Sequence, residues 1–136
     1  MLKRVKYTIA IVLLAGGLFF WLYTSLQNNW DTVSFADATI EAIVREETKN
    51  PFGAIFKTQL ANISVLDLSF KNISSLEGVE NLTNLRELNL QGNNIKDVSP
   101  LKSLSKLEYL NLSDNEITSL ESIKFDKLSS LNLLKR

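Results

Sequence analysis

Hydrophobic and polar positions divide the chain into three segments with different periodicities. Residues 7–26 form a nearly uninterrupted apolar stretch without a charged side chain. Residues 35–48 carry apolar side chains at the spacing of one helix face. From residue 63 onward, leucine recurs every few positions in a pattern that repeats along the chain. The sequence therefore predicts an apolar helix, a short amphipathic helix and a repeat structure, in that order.

The first segment is long enough to cross a lipid bilayer. An α-helix of about 19 apolar residues reaches about 28 Å, close to the roughly 30 Å of a hydrocarbon core. Three cations precede the stretch, and the first charge after it is Asp31. Because positive charge stays on the cytoplasmic side, we predict a cytoplasmic basic segment (1–6), a transmembrane signal-anchor helix (7–26) and an extracellular remainder.

A cleaved secretory signal is the alternative interpretation of this stretch. Such signals have about 7 to 15 apolar residues before a small-x-small cleavage site. The apolar run here is longer, and residues 24–27 offer no good match to that site. Cleavage would make the protein secreted instead of anchored in the cell membrane, and both interpretations predict export.

The second segment is predicted to be a helical N-terminal cap at residues 35–62, after a polar linker at 27–34. Its first helix begins after Ser34 or Asp37, which are both favoured N-cap residue types, and ends near Thr48. A second helical turn is predicted at residues 57–60.

Four copies of one repeat occupy residues 63–136, at spacings of 22, 22 and 21 residues. The copies are 63–84, 85–106, 107–127 and a partial copy at 128–136. Each copy has apolar residues at positions 1, 4 and 6, and the first three add apolar residues at positions 11, 14 and 17. This is the leucine-rich repeat pattern, L-x-x-L-x-L-x-x-N-x-L.

The repeat predicts a solenoid of the α/β class. Positions 4 and 6 alternate along a short strand and point inward, and the strands of successive coils stack in parallel. A repeat of 22 residues leaves little room for a full helix on the convex side, so 3₁₀ or extended segments are expected there, with Ser99-Pro100 favouring a 3₁₀ turn. The predicted fold is thus a leucine-rich repeat solenoid with a helical N-terminal cap, preceded by one transmembrane helix.

Asparagines at position 9 of the second and third copies are predicted to be structural. The buried amides of Asn93 and Asn115 would bond backbone groups of neighbouring coils that otherwise lack partners. Lys71 occupies this position in the first copy, so the ladder of amides is expected to start at the second coil.

Composition and charge narrow the chemistry. The chain has 136 residues with no Cys and no His, which excludes disulfides, the usual zinc sites, a Cys nucleophile and an imidazole base. Residues 31–136 hold 12 Lys and Arg against 15 Asp and Glu, unlike a basic nucleic-acid-binding domain. We therefore expect no enzymatic activity, no cofactor or metal, and no nucleic-acid partner.

The concave face of the predicted sheet is the expected binding surface, because positions 3, 5 and 7 point away from the core. Stacking aligns position 5 of each coil in a polar row that suits an extended peptide or glycan hydroxyls, and Tyr109 is its aromatic anchor. Simple solvation of these side chains is the alternative. The candidate ligand-binding residues are Asp67, Glu87, Asn89, Gln91, Tyr109, Asn111 and Ser113.

Two stretches of the repeat, residues 75–85 (SLEGVENLTNL) and 97–101 (DVSPL), resemble the internalin family of bacterial surface proteins. Phe35-Ala36-Asp37 and the following helix resemble that family's N-terminal cap, and the likeness extends over about residues 35–134. The resemblance implies an extracellular interaction module of a Gram-positive bacterium, and it does not name the ligand. The concave face leads us to expect a protein or glycan ligand at the cell surface.

The last copy departs from this family pattern. Internalins usually have more coils and a further domain after the last one, whereas here the leucines of the partial copy are predicted to lie at an open edge, which a solenoid normally covers with a polar cap. This edge predicts self-association or a structural or regulatory role in a membrane complex. A truncated remnant of a longer relative is the remaining alternative.

Overall fold

The computed structural model describes residues 31–121 and 128–133 of the chain. The predicted basic segment 1–6 and transmembrane helix 7–26 lie outside these residues, as do the end of the third repeat (122–127) and residues 134–136. Within the part of the chain that is described, no helix is long and apolar enough to cross a membrane.

Two short helices and two small strands precede the repeats. The elements in chain order are β1 (Thr32–Val33), α1 (Ala38–Glu47), β2 (Ile55–Phe56), α2 (Lys57–Leu60), β3 (Val65–Asp67), β4 (Glu87–Asn89), β5 (Tyr109–Asn111) and β6 (Ser130–Asn132). Turns of 3₁₀ helix lie at Val79–Asn81 and Ser99–Ser103, between the strands of successive coils.

The four repeat strands form one parallel sheet in the order β3-β4-β5-β6. Its register aligns the leucines at position 4, since Leu66 pairs with Leu88, Leu88 with Leu110 and Leu110 with Leu131. The pairing follows the 22-, 22- and 21-residue spacings of the sequence. The prediction of a solenoid with short parallel strands is therefore confirmed.

The core of the solenoid consists of the repeat's apolar positions. In the first two coils, positions 4, 6, 11, 14 and 17 are at most 3% exposed. The residues at these positions are Leu66, Leu68, Ile73, Leu76, Val79, Leu88, Leu90, Ile95, Val98 and Leu101. Because each inward side chain contacts the coils on either side, burial is continuous along the stack.

Helix α1 begins at an N-cap that its sequence favours. Of the two candidate caps, Asp37 occupies the position, and its Oδ1 accepts hydrogen bonds from the backbone N–H groups of Thr39 and Ile40 at 2.9 and 3.4 Å. The helix ends at Glu47 with Thr48 as its C-cap, which agrees with the predicted end near Thr48. Ile40 and Val44 are fully buried in the same apolar cluster as the leucines of the repeat.

The prediction of a polar linker at residues 27–34 is wrong for its last part, where residues 32–33 form a strand. Strand β1 pairs antiparallel with β2, in the register Thr32 with Phe56 and Val33 with Ile55. Val33 is 8% exposed, and the compact unit that contains the repeats begins at Asp31. Only two residues of each strand are paired. An alternation of apolar and polar residues this short cannot distinguish a strand from a polar linker in the sequence.

Asn93 and Asn115 are buried between coils, as predicted. The Asn93 side chain donates to Leu68 O and Leu90 O at 2.9 and 2.8 Å, and its Oδ1 accepts from the N–H groups of Lys71 and Ile73, both at 3.0 Å. One amide thus satisfies backbone groups in two successive coils.

Asn115 repeats this arrangement one coil further along the stack. It donates to Leu90 O at 2.8 Å and to Leu112 O at 3.1 Å, and it accepts from Ile95 N–H at 3.1 Å. The amide ladder therefore starts at the second coil, as expected from the presence of Lys71 in place of asparagine at position 9 of the first copy.

Gly78 lets the N-terminal segment approach the first coil closely. It adopts φ = 102°, and a Cβ there would lie 2.4 Å from Ser34 O and 2.8 Å from Phe35 Cδ1. The neighbouring backbones are hydrogen-bonded, with Ala36 N–H donating to Glu77 O at 3.1 Å. Glycine is required here for its conformation and for its lack of a side chain.

Replacing Gly78 by alanine is expected to destabilise the protein much more than replacing Gly53. Gly53 also has a positive φ, of 81°, but a Cβ there meets nothing within 4 Å. Gly53→Ala should cost about 1 to 2 kcal/mol for the left-handed backbone. Gly78→Ala should add about 1 to 3 kcal/mol of steric overlap. Urea unfolding of both variants measures the difference, and equal losses would refute the close approach of Phe35 to the first coil.

Candidate functional site: the concave face

Four side chains at repeat position 3 form an exposed line across the sheet, which we call the position-3 stripe. The strand register places Val65, Glu87, Tyr109 and Ser130 side by side. All four are exposed to solvent, and Val65 and Tyr109 are the large apolar members. The spacing between neighbouring strands is about 4.8 Å, so the stripe is about 15 Å long. Both candidate ligand-binding residues in this stripe, Glu87 and Tyr109, are therefore accessible to solvent.

The predicted polar row at position 5 is aligned, but the Oδ1 atoms of Asp67 and Asn89 accept hydrogen bonds locally. Asp67 Oδ1 accepts from the Ser69 N–H at 2.9 Å and from the Ser69 hydroxyl at 2.7 Å. Asn89 Oδ1 accepts from the Gln91 N–H at 3.2 Å. Each side chain therefore bonds the backbone two residues on, where the chain leaves its strand.

Asn111 and Ser113 are buried, which corrects their prediction as accessible ligand-binding residues. They are 6% and 4% exposed. Asn111 Oδ1 accepts from Ser113 N–H at 3.1 Å and from its hydroxyl at 2.6 Å, while Asn111 Nδ2 donates to Gln91 Oε1 at 3.4 Å. Gln91 also donates to Asp114 Oδ2 at 3.0 Å. Polar side chains of neighbouring coils cover one another, so their outward direction does not make them accessible.

The carboxylate of Asp67 is stabilised in its ionised form. Its hydrogen bonds from the Ser69 hydroxyl and then from the Ser69 N–H lower the pKa of Asp67 below the ordinary value of 3.8. Asp97, on the convex side, has the same arrangement, since the N–H and hydroxyl of Ser99 lower its pKa. Asp67 is exposed, so it presents a negative charge on the concave face at neutral pH.

The concave face therefore carries a net negative charge. Positions 3, 5 and 7 of the four copies contain two carboxylates, Asp67 and Glu87, and no Lys or Arg. Beside the stripe, at position 2, Arg86 forms an ion pair with Glu108 of the next coil. In the part of the chain that is described, no cluster of carboxylates could hold a metal ion.

Repeat position 8 turns the chain out of the first three repeat strands through a left-handed conformation. Phe70, Gly92 and Asp114 have φ values of 55°, 68° and 56°. The Phe70 ring lies against Gly92, where an added Cβ would be 2.3 Å from its Cδ1. Phe70 remains 67% exposed and adds apolar area at the rim. Glycine and aspartate at this position signal the left-handed turn in the sequence, but the stacking of Phe70 has no such signal.

Two models of known protein families match the repeats of this chain. A family model described as "Leucine Rich repeats (2 copies)" matches residues 61–103, and one described as "Leucine rich repeat" matches residues 84–135. No curated protein sequence matches the chain. The matched residues and the parallel sheet together define a leucine-rich repeat solenoid.

Solved structures of similar fold include two internalins from Listeria monocytogenes. The inlF structure is 33% identical, with a TM-score of 0.66, and the match covers 73% of this chain and 30% of that chain. The inlC2 structure is 32% identical, with a TM-score of 0.60, covering 66% and 43% of the two chains. A structure of the CBM51-2 and INT domains of Clostridium perfringens ZmpB is 30% identical, with a TM-score of 0.54, over 62% of this chain and 18% of that one.

The chain is an internalin-like bacterial leucine-rich repeat protein. It spans less than half the length of the two internalins it matches. The interpretation of residues 35–62 as the family's N-terminal cap stays a prediction.

Removing the Ser69 hydroxyl is expected to raise the pKa of Asp67 toward 3.8, because that hydroxyl is the largest cause of the lowered value. The lowered pKa means that ionised Asp67 stabilises the fold above the unfolded pKa, and that this contribution is lost as the pH falls through the folded pKa. An NMR titration of the carboxyl carbons measures the pKa in wild type and in Ser69→Ala. Asp97 is the internal control, and a shift of both carboxylates, or of neither, would contradict the assignment.

Proposed function

We propose that this protein is a membrane-anchored, outward-facing binding module that engages a protein ligand through the position-3 stripe and does not act as an enzyme. The observation that carries the proposal is the in-register exposure of Val65, Glu87, Tyr109 and Ser130 across four parallel strands. Side chains held on a stacked sheet lose little conformational freedom on binding, which favours recognition.

A protein ligand fits this surface better than a glycan. Glycan hydroxyls need free amide and carboxylate groups, but the Oδ1 atoms of Asp67, Asn89 and Asn111 already accept hydrogen bonds from their own strand ends. The stripe instead offers an aliphatic and an aromatic side chain around one carboxylate. An extended peptide with apolar and basic side chains matches that combination.

The size of the surface predicts weak binding by a single module. Four strands span about 15 Å, whereas a standard interface takes about 800 Å² from each partner. Tight adhesion would then require several modules on one surface. A membrane anchor at residues 7–26 would supply this clustering, and the cations of residues 1–6 support an outward orientation of the repeats.

Tyr109→Ala is expected to weaken binding about tenfold or more, as loss of a central aromatic residue does at protein interfaces. The probe is a phage-displayed library of random linear peptides, selected on the full chain, followed by a glycan array. The affinity of the enriched peptides is then measured for wild type, Tyr109→Ala and Glu87→Gln.

Lys102→Ala on the convex side is the matched control, because Lys102 is exposed and distant in the repeat from the stripe. Enriched peptides that bind Tyr109→Ala as tightly as wild type would remove the stripe from the account. Selection of glycans in place of peptides would show that the ligand class is wrong.

A further inference from the structure

Phe70 is an exposed aromatic residue that neither the core nor the local backbone explains. Its φ of 55° lies in the left-handed region, which is unfavourable for a bulky side chain. The next two copies carry Gly92 and Asp114 at this position, and both of these residue types tolerate that conformation. The Phe70 side chain is 67% exposed, so it contributes little to the core. An outlier of this kind points to a role at the surface.

The Phe70 ring has a fixed seat on the second coil. It lies against Gly92, where an added Cβ would be 2.3 Å from the ring. The N–H groups of Leu68 and Phe70 donate to Asn89 O and Gln91 O, both at 2.8 Å, so the hydrogen bonds between the first two coils continue past β3 as far as Phe70. A ring held in this way loses little conformational freedom when a ligand binds.

Phe70 and Tyr109 lie toward opposite corners of the concave face. Tyr109 is two strands away from Val65 in the register, which is about 10 Å, and Phe70 is five residues beyond Val65 along the first coil, which is about 16 Å. The diagonal is therefore about 19 Å long. We call the line from Tyr109 over Glu87 and Asp67 to Phe70 the oblique path.

The two carboxylates on the oblique path are exposed and have no counter-ion on the concave face. Positions 3, 5 and 7 of the four copies contain no Lys or Arg, and Arg86 beside them is paired with Glu108. The bonds from Ser69 hold the Asp67 carboxylate in its ionised form, and Lys71 is the smallest of the causes that lower the pKa of Asp67. The middle of the path is therefore negative, and its two ends are aromatic.

We propose that Phe70 is a second aromatic anchor of the ligand site, and that the ligand is an extended peptide segment of another protein that follows the oblique path with a basic side chain between two apolar ones. The proposal rests on the proposed function, because Tyr109 is the other anchor. The path shares Tyr109 and Glu87 with the position-3 stripe, and it adds a second carboxylate and a second aromatic ring that the stripe lacks.

The dimensions of the path specify the spacing of the ligand's side chains. An extended peptide advances about 3.3 Å per residue, and alternate residues face the same side. Two apolar residues six positions apart therefore reach Tyr109 and Phe70. A Lys or Arg two positions after the first lies about 7 Å along the path, between Glu87 and Asp67. Starting from the Tyr109 end, the matching sequence is apolar-x-basic-x-x-x-apolar.

The peptides selected from the random linear library on the full chain provide the probes for the aromatic anchor. Phe70→Ala is expected to weaken their binding about tenfold, as loss of an aromatic anchor does at protein interfaces. Phe52→Ala should leave binding unchanged and is the matched control, because Phe52 is 85% exposed and lies between α1 and β2, away from the repeat strands. Circular dichroism checks that both variants are folded.

A change in the peptide tests the same contact without altering the protein. Alanine in place of the apolar residue at the Phe70 end should weaken binding to wild type about tenfold. The same peptide change should have little further effect on Phe70→Ala, because the contact is already lost there. Equal effects of the peptide change on both proteins would show that Phe70 does not contact that residue.

Asp67→Asn tests the basic position of the ligand. It should weaken peptides that carry Lys or Arg there severalfold, and it should not weaken the same peptides with norleucine in place of the basic residue. Asp97→Asn is the matched control, since Asp97 accepts the same two bonds from Ser99 on the convex side. An equal effect of Asp67→Asn on the basic and the norleucine peptides would overturn the charge recognition.

The outcomes separate this proposal from the proposed function. Peptides that lose affinity with Tyr109→Ala but not with Phe70→Ala would overturn the oblique path and leave the proposed function intact. A loss with Phe70→Ala that Phe52→Ala reproduces would also overturn the path. Peptides that are indifferent to both Tyr109→Ala and Phe70→Ala, or a selection that yields no peptide, would overturn the two proposals together.

Discussion

The buried side-chain amide at repeat position 9 is the interaction on which the rest of the structure depends. A coil only 22 residues long must turn sharply after its strand, and that turn leaves backbone groups in the interior without partners. Asn93 bonds two N–H groups of the first coil and carbonyls of the first and second coils, and Asn115 repeats this contact between the second and third. An amide can do this because it both donates and accepts. The ladder therefore fixes the stacking distance and the register of the strands.

Register in turn determines what the concave face presents. With the strands aligned residue for residue, position 3 becomes a continuous exposed stripe and position 5 becomes a row whose oxygens close the turns after the strands. Outward-facing side chains of one strand thus have two different roles: those at position 3 are exposed, and those at position 5 close the turn after the strand. The side chains that the turns do not use include Glu87 and Tyr109, and these are the residues to which the proposed function assigns recognition. A narrow stripe of this kind gains most when several copies act together.

The repeat itself could be predicted from the sequence, because the spacing of its leucines leaves a single way to bury them. The burial of Asn93 and Asn115 and the N-cap at Asp37 also follow from residue type and position. Accessibility on the concave face could not be predicted in the same way. Asn111 and Ser113 point outward by strand alternation, but both are buried, and Asn111 is hydrogen-bonded to Gln91 of the preceding coil and to Ser113. The contact of Phe35 with Gly78 joins residues far apart in sequence and has no periodicity that would reveal it.

The free energy of unfolding of Asn93→Ala, compared with that of the adjacent Asn94→Ala, tests the central role of the ladder most directly. The Asn94 side chain is exposed, and its Nδ2 donates to Glu116 Oε1 at 3.5 Å, so its loss should cost less than about 0.5 kcal/mol. Asn93→Ala leaves buried N–H and C=O groups unpaired, and each of these costs about 1 to 3 kcal/mol, so a total loss of about 3 kcal/mol or more is expected. Similar small losses for both variants would contradict the account.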